Sequence, residues 1–289
     1  MEYKIRSVLE EDLVSLEELL AQSVENRKYS SKNGNLRGYI LYNKDLVKVA
    51  VHKNELIGFI ISYVSTPQKV KIYKLFVSQS HRKRGVGKKL FNSLESELSK
   101  RISGLKYLSV RIPKKFINSS QFFRSLNFKT ITRINNYYKE DLSFPFTVNS
   151  SIIIRKAQKR DVNGVLAIET ECFSEFWRMD RIKFARIMKY PMSALFVALL
   201  DNKIVGYNYN TLSVSGLDGN YVRIATSPNF RREGIATALT SHAFKWFKEK
   251  RVNQILLSTY ADSSPHNEMY SYWGFIKIDQ EEIMAKKYV

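Results

Sequence analysis

The sequence predicts two α/β domains in tandem, each a mixed sheet faced by helices, and three observations carry that expectation. The chain has 289 residues, room for two domains of about 100–200 residues each. Its second half repeats the first: Ile5-Arg6 matches Ile154-Arg155, Asp12 matches Asp161 and Gly85 matches Gly234, all at an offset of 149. Glu55-Leu56-Ile57-Gly58-Phe59 likewise resembles Lys203-Ile204-Val205-Gly206-Tyr207, and Leu126-Asn127-Phe128 resembles Trp273-Gly274-Phe275. A period this long is too large for a solenoid and fits two similar domains. Finally, an apolar run, a basic glycine-containing loop and a helix-period stretch occur in that order in both halves.

Each half reads element by element in the same way. A short strand (3–8; 152–157) leads to a helix (11–20; 162–171). Two antiparallel strands follow (46–51 and 56–64; 195–200 and 204–212), the second pair turning at Asp201-Asn202-Lys203. Next come a strand (70–77; 221–226), the loop and its helix, whose apolar positions are Val86, Leu90, Leu94 and Leu98, or Ile235, Leu239, Ala243 and Trp246. A further strand (107–112; 254–260), a short helix (119–126; 266–273) and final strands close each half. The stretch 142–150 carries Pro145 and few charges. It divides the chain into domains 1–146 and 147–289, and its aromatics suit packing against a domain rather than a free linker.

The loops are the chemical signal. Arg82-Lys83-Arg84-Gly85-Val86-Gly87 reads R-x-x-G-x-G and Arg231-Arg232-Glu233-Gly234-Ile235-Ala236 reads R-x-x-G-x-A. A helix N-terminus offers N–H groups without intrahelical partners and a dipole that favours negative charge. Small loop residues let a pyrophosphate approach the backbone, and the arginines add fixed positive charge. A pyrophosphate-bearing ligand is therefore expected, in one or both halves.

Composition narrows the rest. The chain is 44% hydrophobic and 13% aromatic, with one cysteine, Cys172, which excludes an intrachain disulfide. The histidines His52, His81, His242 and His266 show no ligand spacing, so no metal is expected. There is no charged-then-apolar leader and no long apolar run, from which a cytoplasmic protein without a membrane segment is expected. The net charge is +20, and residues 1–148 hold 27 Lys+Arg against 13 Asp+Glu. Such charge attracts polyanions, nucleic acid among them. No interleaved aromatics or helix-turn-helix pattern supports a nucleic-acid partner beyond the charge itself.

The order strand, R-x-x-G-x-G/A, helix, strand, short helix and closing G-F resembles the GCN5-related N-acetyltransferases (GNATs), over nearly the whole chain. The resemblance implies that the two central parallel strands splay and admit acetyl-CoA as acyl donor, with CoA as product. The pantetheine arm would then lie along Leu75, Phe76 and Val77 in the first half and Ile224, Ala225 and Thr226 in the second. The pyrophosphate would sit on the loops, at Arg82, Lys83, Arg84, Gly85, Val86, Gly87 and Lys88, and at Arg231, Arg232, Glu233, Gly234, Ile235, Ala236 and Thr237. Family members protonate the leaving thiolate with a tyrosine five residues before the phenylalanine of the closing G-F. In the second half that residue is Tyr270; in the first it is Phe123, which has no proton to give. Tandem members such as mycothiol synthase are similar in architecture, with an active C-terminal domain. The resemblance thus implies a catalytic second domain, and a first domain that is a scaffold or a weak or inactive second acyl-CoA site.

A general base is less legible. Neither 221–226 nor 255–260 holds a carboxylate. Asp262 flanks the second of these strands and Glu171 ends the first helix, with Asp218, Glu169 and Glu175 as further acids near the site. The segment 168–177 resembles the first-helix region of ribosomal-protein and peptide N-terminal acetyltransferases. The acceptor implied is an amine-bearing small molecule or a peptide or protein N-terminus. Regulatory or scaffold binding of acyl-CoA without turnover remains the alternative reading.

Overall fold

The computed structural model describes residues 2–22, 40, 43–213 and 215–288. In chain order the elements are β1 (Lys4–Ser7), α1 (Leu13–Gln22), β2 (Val47–His52), β3 (Glu55–Thr66), β4 (Lys69–Val77), α2 (Val86–Arg101), β5 (Tyr107–Pro113), α3 (Ile117–Ser125) and β6 (Lys129–Lys139). There follow β7 (Ile153–Lys156), α4 (Val162–Cys172), α5 (Arg181–Lys189), β8 (Ser193–Leu200), β9 (Lys203–Leu212), β10 (Asp218–Thr226), α6 (Ile235–Glu249), β11 (Gln254–Tyr260), α7 (Ser264–Tyr272) and β12 (Ile276–Lys287). Helix α5 is absent from the sequence reading; Asp180 starts it by accepting from the Lys183 N–H at 2.7 Å.

The chain forms two compact units, Met1–Thr132 with Glu282–Val289, and Arg133–Glu281. The division expected at 146/147 falls inside the second. Residues 142–146 belong to that unit's core, where Phe144 packs on Phe244 and Trp273 at centroid distances of 4.9 and 5.4 Å. In each unit a meander of four antiparallel strands (β1–β4; β7–β10) is extended by a parallel neighbour, β5 or β11. The residues 134–139 of β6 then pair antiparallel with β11 in the second unit. In the first, the chain's last residues fold in: Tyr288 N–H bonds to Lys106 O at 2.9 Å, and Met284 is fully buried in the core of α2, β3 and β4.

Period-two alternation sends side chains to both faces of each sheet. In the first unit Phe59 and Ile61 meet α1 while Ile60 meets α2. In the second, Tyr207 and Tyr209 pack toward α4 and α5, and Val205 toward α6. The repeated Arg and Asp have a structural role. Arg6 Nη2 donates to Asp12 Oδ1 at 2.9 Å, and Asp12 takes the Leu9 N–H at 2.7 Å. Arg155 and Asp161 repeat this at 2.9 Å, with the Gln158 N–H at 2.7 Å. Each pair ties the first strand to the first helix, and the spacing recurs because that tie recurs.

Candidate active site

Strand pairing supplies the opening. β10 and β11 pair in parallel from Asp218↔Gln254 to Tyr221↔Leu257, although the strands run on to Thr226 and Tyr260. Beyond Tyr221, β10 keeps its partner β9 through Thr226↔Gly206, so its edge toward β11 is left open. The first unit does the same, with β4 and β5 pairing from Lys69↔Tyr107 only to Ile72↔Val110. Each parting begins at a bulge, the register shifting between Tyr221 and Arg223 on β10, and between Ile61 and Ser62 opposite β4. A bulge re-aims the side chains that follow it. Tyr221 bonds Thr240 of α6 at 2.7 Å, while Arg223, two residues on, faces the opposite layer of α4.

The glycine loops lie directly after β4 and β10. Lys83 and Gly85 have φ of 58° and 77°, and Arg232 and Gly234 have φ of 70° and 83°. Two left-handed residues, one apart, turn successive N–H groups into a concavity suited to an anion. Gly234 N-caps α6 without any side-chain cap, and Ala238 N–H is the first to bond back, to Gly234 O at 3.0 Å. Among the described residues no backbone bond uses the N–H groups of Glu233, Gly234, Ile235, Ala236 or Thr237. A pyrophosphate-bearing donor fits this: donors, left-handed glycine and dipole converge on one point. The repeated Gly206 keeps α6 close, since a Cβ there would stand 2.8 Å from Ile235 and 3.0 Å from the Ala225 carbonyl. In the first unit Arg82 Nε donates to Val77 O at 2.9 Å, fastening its loop to the end of β4.

Tyr270 sits on α7 with its ring buried against Tyr137, Tyr221, Trp273 and Phe275. Its hydroxyl makes no hydrogen bond among the described residues. Burial pushes its pKa well above the ordinary tyrosine value, which keeps the proton on. The helix is held by a residue the sequence reading passed over. Asn267 donates to the carbonyls of Tyr260, Ala261 and Ser263 at 2.9, 3.3 and 2.6 Å. It accepts from Asn135 Nδ2 at 2.8 Å and from the Tyr137 hydroxyl at 2.7 Å. An asparagine at a helix start reads as an ordinary cap, so only the fold exposes this junction of β6, β11 and α7.

The candidate carboxylates lie on the turn after β11 and on α4. Asp262 is exposed on the turn after β11. Glu171 lies in the last turn of α4 and accepts from Ser227 Oγ at 2.8 Å, beside the root of the loop. Glu169 is 1% exposed and binds Arg223, the Tyr207 hydroxyl and the Met179 N–H. In the first unit the counterpart of Tyr270, Phe123, is buried edge-on against Phe122 and Phe128. Among the described residues no cluster of His, Cys, Asp and Glu could hold a metal ion, and no helix is long and apolar enough to cross a membrane.

Two family models match this chain, an acetyltransferase (GNAT) domain over residues 16–145 and the acetyltransferase (GNAT) family over residues 162–275. An N-alpha-acetyltransferase of Sulfurisphaera tokodaii is 29% identical over 136 residues, 43% of this chain and 80% of that protein. One of Saccharolobus solfataricus is 27% identical over 136 residues, with the same coverage of 43% and 80%. Among solved structures, a GCN5-related N-acetyltransferase from Sphaerobacter thermophilus superposes with a TM-score of 0.75 at 16% identity, covering 99% of this chain and 95% of that one. A tandem GNAT protein from the clavulanic acid biosynthesis pathway gives 0.72 at 13% identity, covering 99% and 98%. At these identities the superpositions speak for the fold. With two matched domains, two parted strand pairs and two amide-lined loops, the chain belongs to the GNAT superfamily as a tandem member, an acyl-CoA-dependent N-acetyltransferase.

Proposed function

We propose that the second unit transfers an acetyl group from acetyl-CoA to a primary amine by direct attack, and that the first unit does not turn over. The observation that carries this is Tyr270, a buried tyrosine whose hydroxyl has no protein partner among the described residues; both units part their strands beside a loop, and only the second has this tyrosine there. The N–H groups of residues 233–237 and the side chains of Arg231 and Arg232 would hold the pyrophosphate. The open edge of β10 at Ile224, Ala225 and Thr226 would pair with the pantetheine arm. On reaction the amine nitrogen bonds to the thioester carbonyl carbon and the carbon–sulfur bond breaks. The leaving sulfur takes the Tyr270 proton, the proton lost by the amine passes to solvent, and Tyr270 regains a proton from solvent before the next turnover. The first unit keeps the loop and the opening but has Phe123 in place of the acid, which supports a scaffold or a bound acyl-CoA without chemistry.

An acceptor amine on a peptide or protein N-terminus has support from the two N-alpha-acetyltransferase relatives. The test is incubation with acetyl-CoA and a peptide bearing a free N-terminus, read by mass spectrometry. A product heavier by one acetyl group, formed by the Gly85→Val variant and lost in Gly234→Val, supports the assignment. Equal loss in both variants refutes the division of labour.

A further inference from the structure

Arg223 and Glu169 form an ion pair inside the second unit, with Arg223 Nη1 at 2.9 Å from both Glu169 oxygens. Such pairs are poor sources of stability, because desolvation offsets the attraction. Glu169 also accepts from the Tyr207 hydroxyl on β9, and the pair's other hydrogen bonds go to a single segment. Arg223 Nη2 donates to Trp177 O at 2.9 Å, and Glu169 accepts the Met179 N–H at 2.8 Å. The guanidinium also lies over the Phe173 ring, 4.1 Å from its centroid. The segment between α4 and α5 is thus fastened from beneath at three points.

The fastening has a consequence across the opening. Arg223 is on β10 beyond its last pairing with β11, and Tyr260 ends β11 beyond the same point. Trp177, held by Arg223, sets its ring edge-on to Tyr260 at 5.7 Å, and Phe176 meets Trp177 at 4.9 Å. The segment therefore touches both separated strands, and the surface it brings there is aromatic. It lies on the α4–α5 face, opposite the α6 loop that would take the pyrophosphate.

Building on the proposed function, we infer that Trp177, positioned by the Arg223–Glu169 pair, is the acceptor-specificity residue, selecting a peptide whose N-terminal residue has an apolar side chain. The two buried charges satisfy each other, so a charged side chain entering here would be desolvated beside aromatic rings. An apolar one gains contact area with Trp177 and Tyr260. One such contact discriminates by about 10–200-fold in kcat/KM.

The experiment uses the full chain, acetyl-CoA and three peptides identical except for Leu, Ser or Asp at the first position. We expect the Leu peptide to exceed the others at least about 10-fold in kcat/KM. In Trp177→Ala that ratio falls to within about threefold, mostly through KM, with acetyl-CoA affinity unchanged. The triple variant Glu169→Leu, Arg223→Met and Tyr207→Phe, which leaves neither an orphan charge nor an orphan buried hydroxyl, melts near the wild type yet loses the preference as Trp177→Ala does. No preference in the wild type, or a preference that survives Trp177→Ala, overturns the inference. So does acetylation of a small amine with none of the peptides, which leaves the proposed function standing. Failure to bind acetyl-CoA at all removes the proposed function itself.

Discussion

Replacing Tyr270 with phenylalanine separates chemistry from packing. The ring touches Tyr137 and Tyr221 at 6.3 Å, Trp273 at 5.8 Å and Phe275 at 5.9 Å, contacts that phenylalanine keeps. The hydroxyl has no hydrogen-bond partner among the described residues, so its removal orphans no protein group. Stability should therefore change by less than about 0.5 kcal/mol. The rate should not be spared. A positioned general acid contributes about 10²–10⁴-fold, which at about 1.36 kcal/mol per tenfold is about 2.7–5.4 kcal/mol of barrier. Free-thiol release with saturating acetyl-CoA and an N-terminal peptide reads kcat, calorimetry reads acetyl-CoA affinity, and a thermal melt reads the fold. The expected variant melts like the wild type, binds acetyl-CoA as tightly and turns over at least about 100-fold more slowly. A kcat within about threefold of the wild type refutes Tyr270 as the acid.

Asn267→Ala removes five hydrogen bonds at the junction of β6, β11 and α7. It should lower stability by about 1–3 kcal/mol and lower kcat as well, read by chemical denaturation and thiol release; unchanged values in both would contradict the anchoring role. Met284→Ala, on the chain's last strand but buried in the first unit, should cost about 2–5 kcal/mol, and a cost under 1 kcal/mol would contradict that burial. In acid, the hydrogen bond from Arg155 is the main cause holding the Asp161 carboxyl below its usual 3.8. A depressed folded value means its stabilisation is present above that pH and lost as pH falls below it. In alkali, burial lifts Tyr209 to about 12, so its contribution is full below about 10 and is lost as pH rises toward 12. Denaturation midpoints across pH check both limbs; a midpoint that rises in either direction contradicts the signs.

Much of the fold was legible because it repeats and because its signals are local. The loops show in the sequence as basic glycine turns ahead of helix-period runs, and the Ile-Arg and Asp matches mark a strand-to-helix tie made twice. What stayed hidden depends on distant partners. Nothing local in residues 133–139 says that they pair with β11, or that Met284 belongs with α2; strand register is set by whichever edge the folded chain offers. Glu169 and Arg223 carry charges that ordinarily mark solvent, so their burial shows only once the bulge at Val222 turns Arg223 inward. The parting of β10 from β11 is likewise a fact of register: both strands continue past the point where pairing stops, to Thr226 and Tyr260.

On the proposed function, one loop of the two serves catalysis. The most direct measurement is thiol release from acetyl-CoA, with acceptor present, by Gly85→Val and Gly234→Val side by side. Both glycines hold left-handed φ angles, 77° and 83°, where a β-branched residue is strained. We expect near-normal turnover for Gly85→Val and loss of turnover for Gly234→Val, with both variants folded by thermal melt. Normal turnover in Gly234→Val, or its loss in Gly85→Val alone, would contradict it.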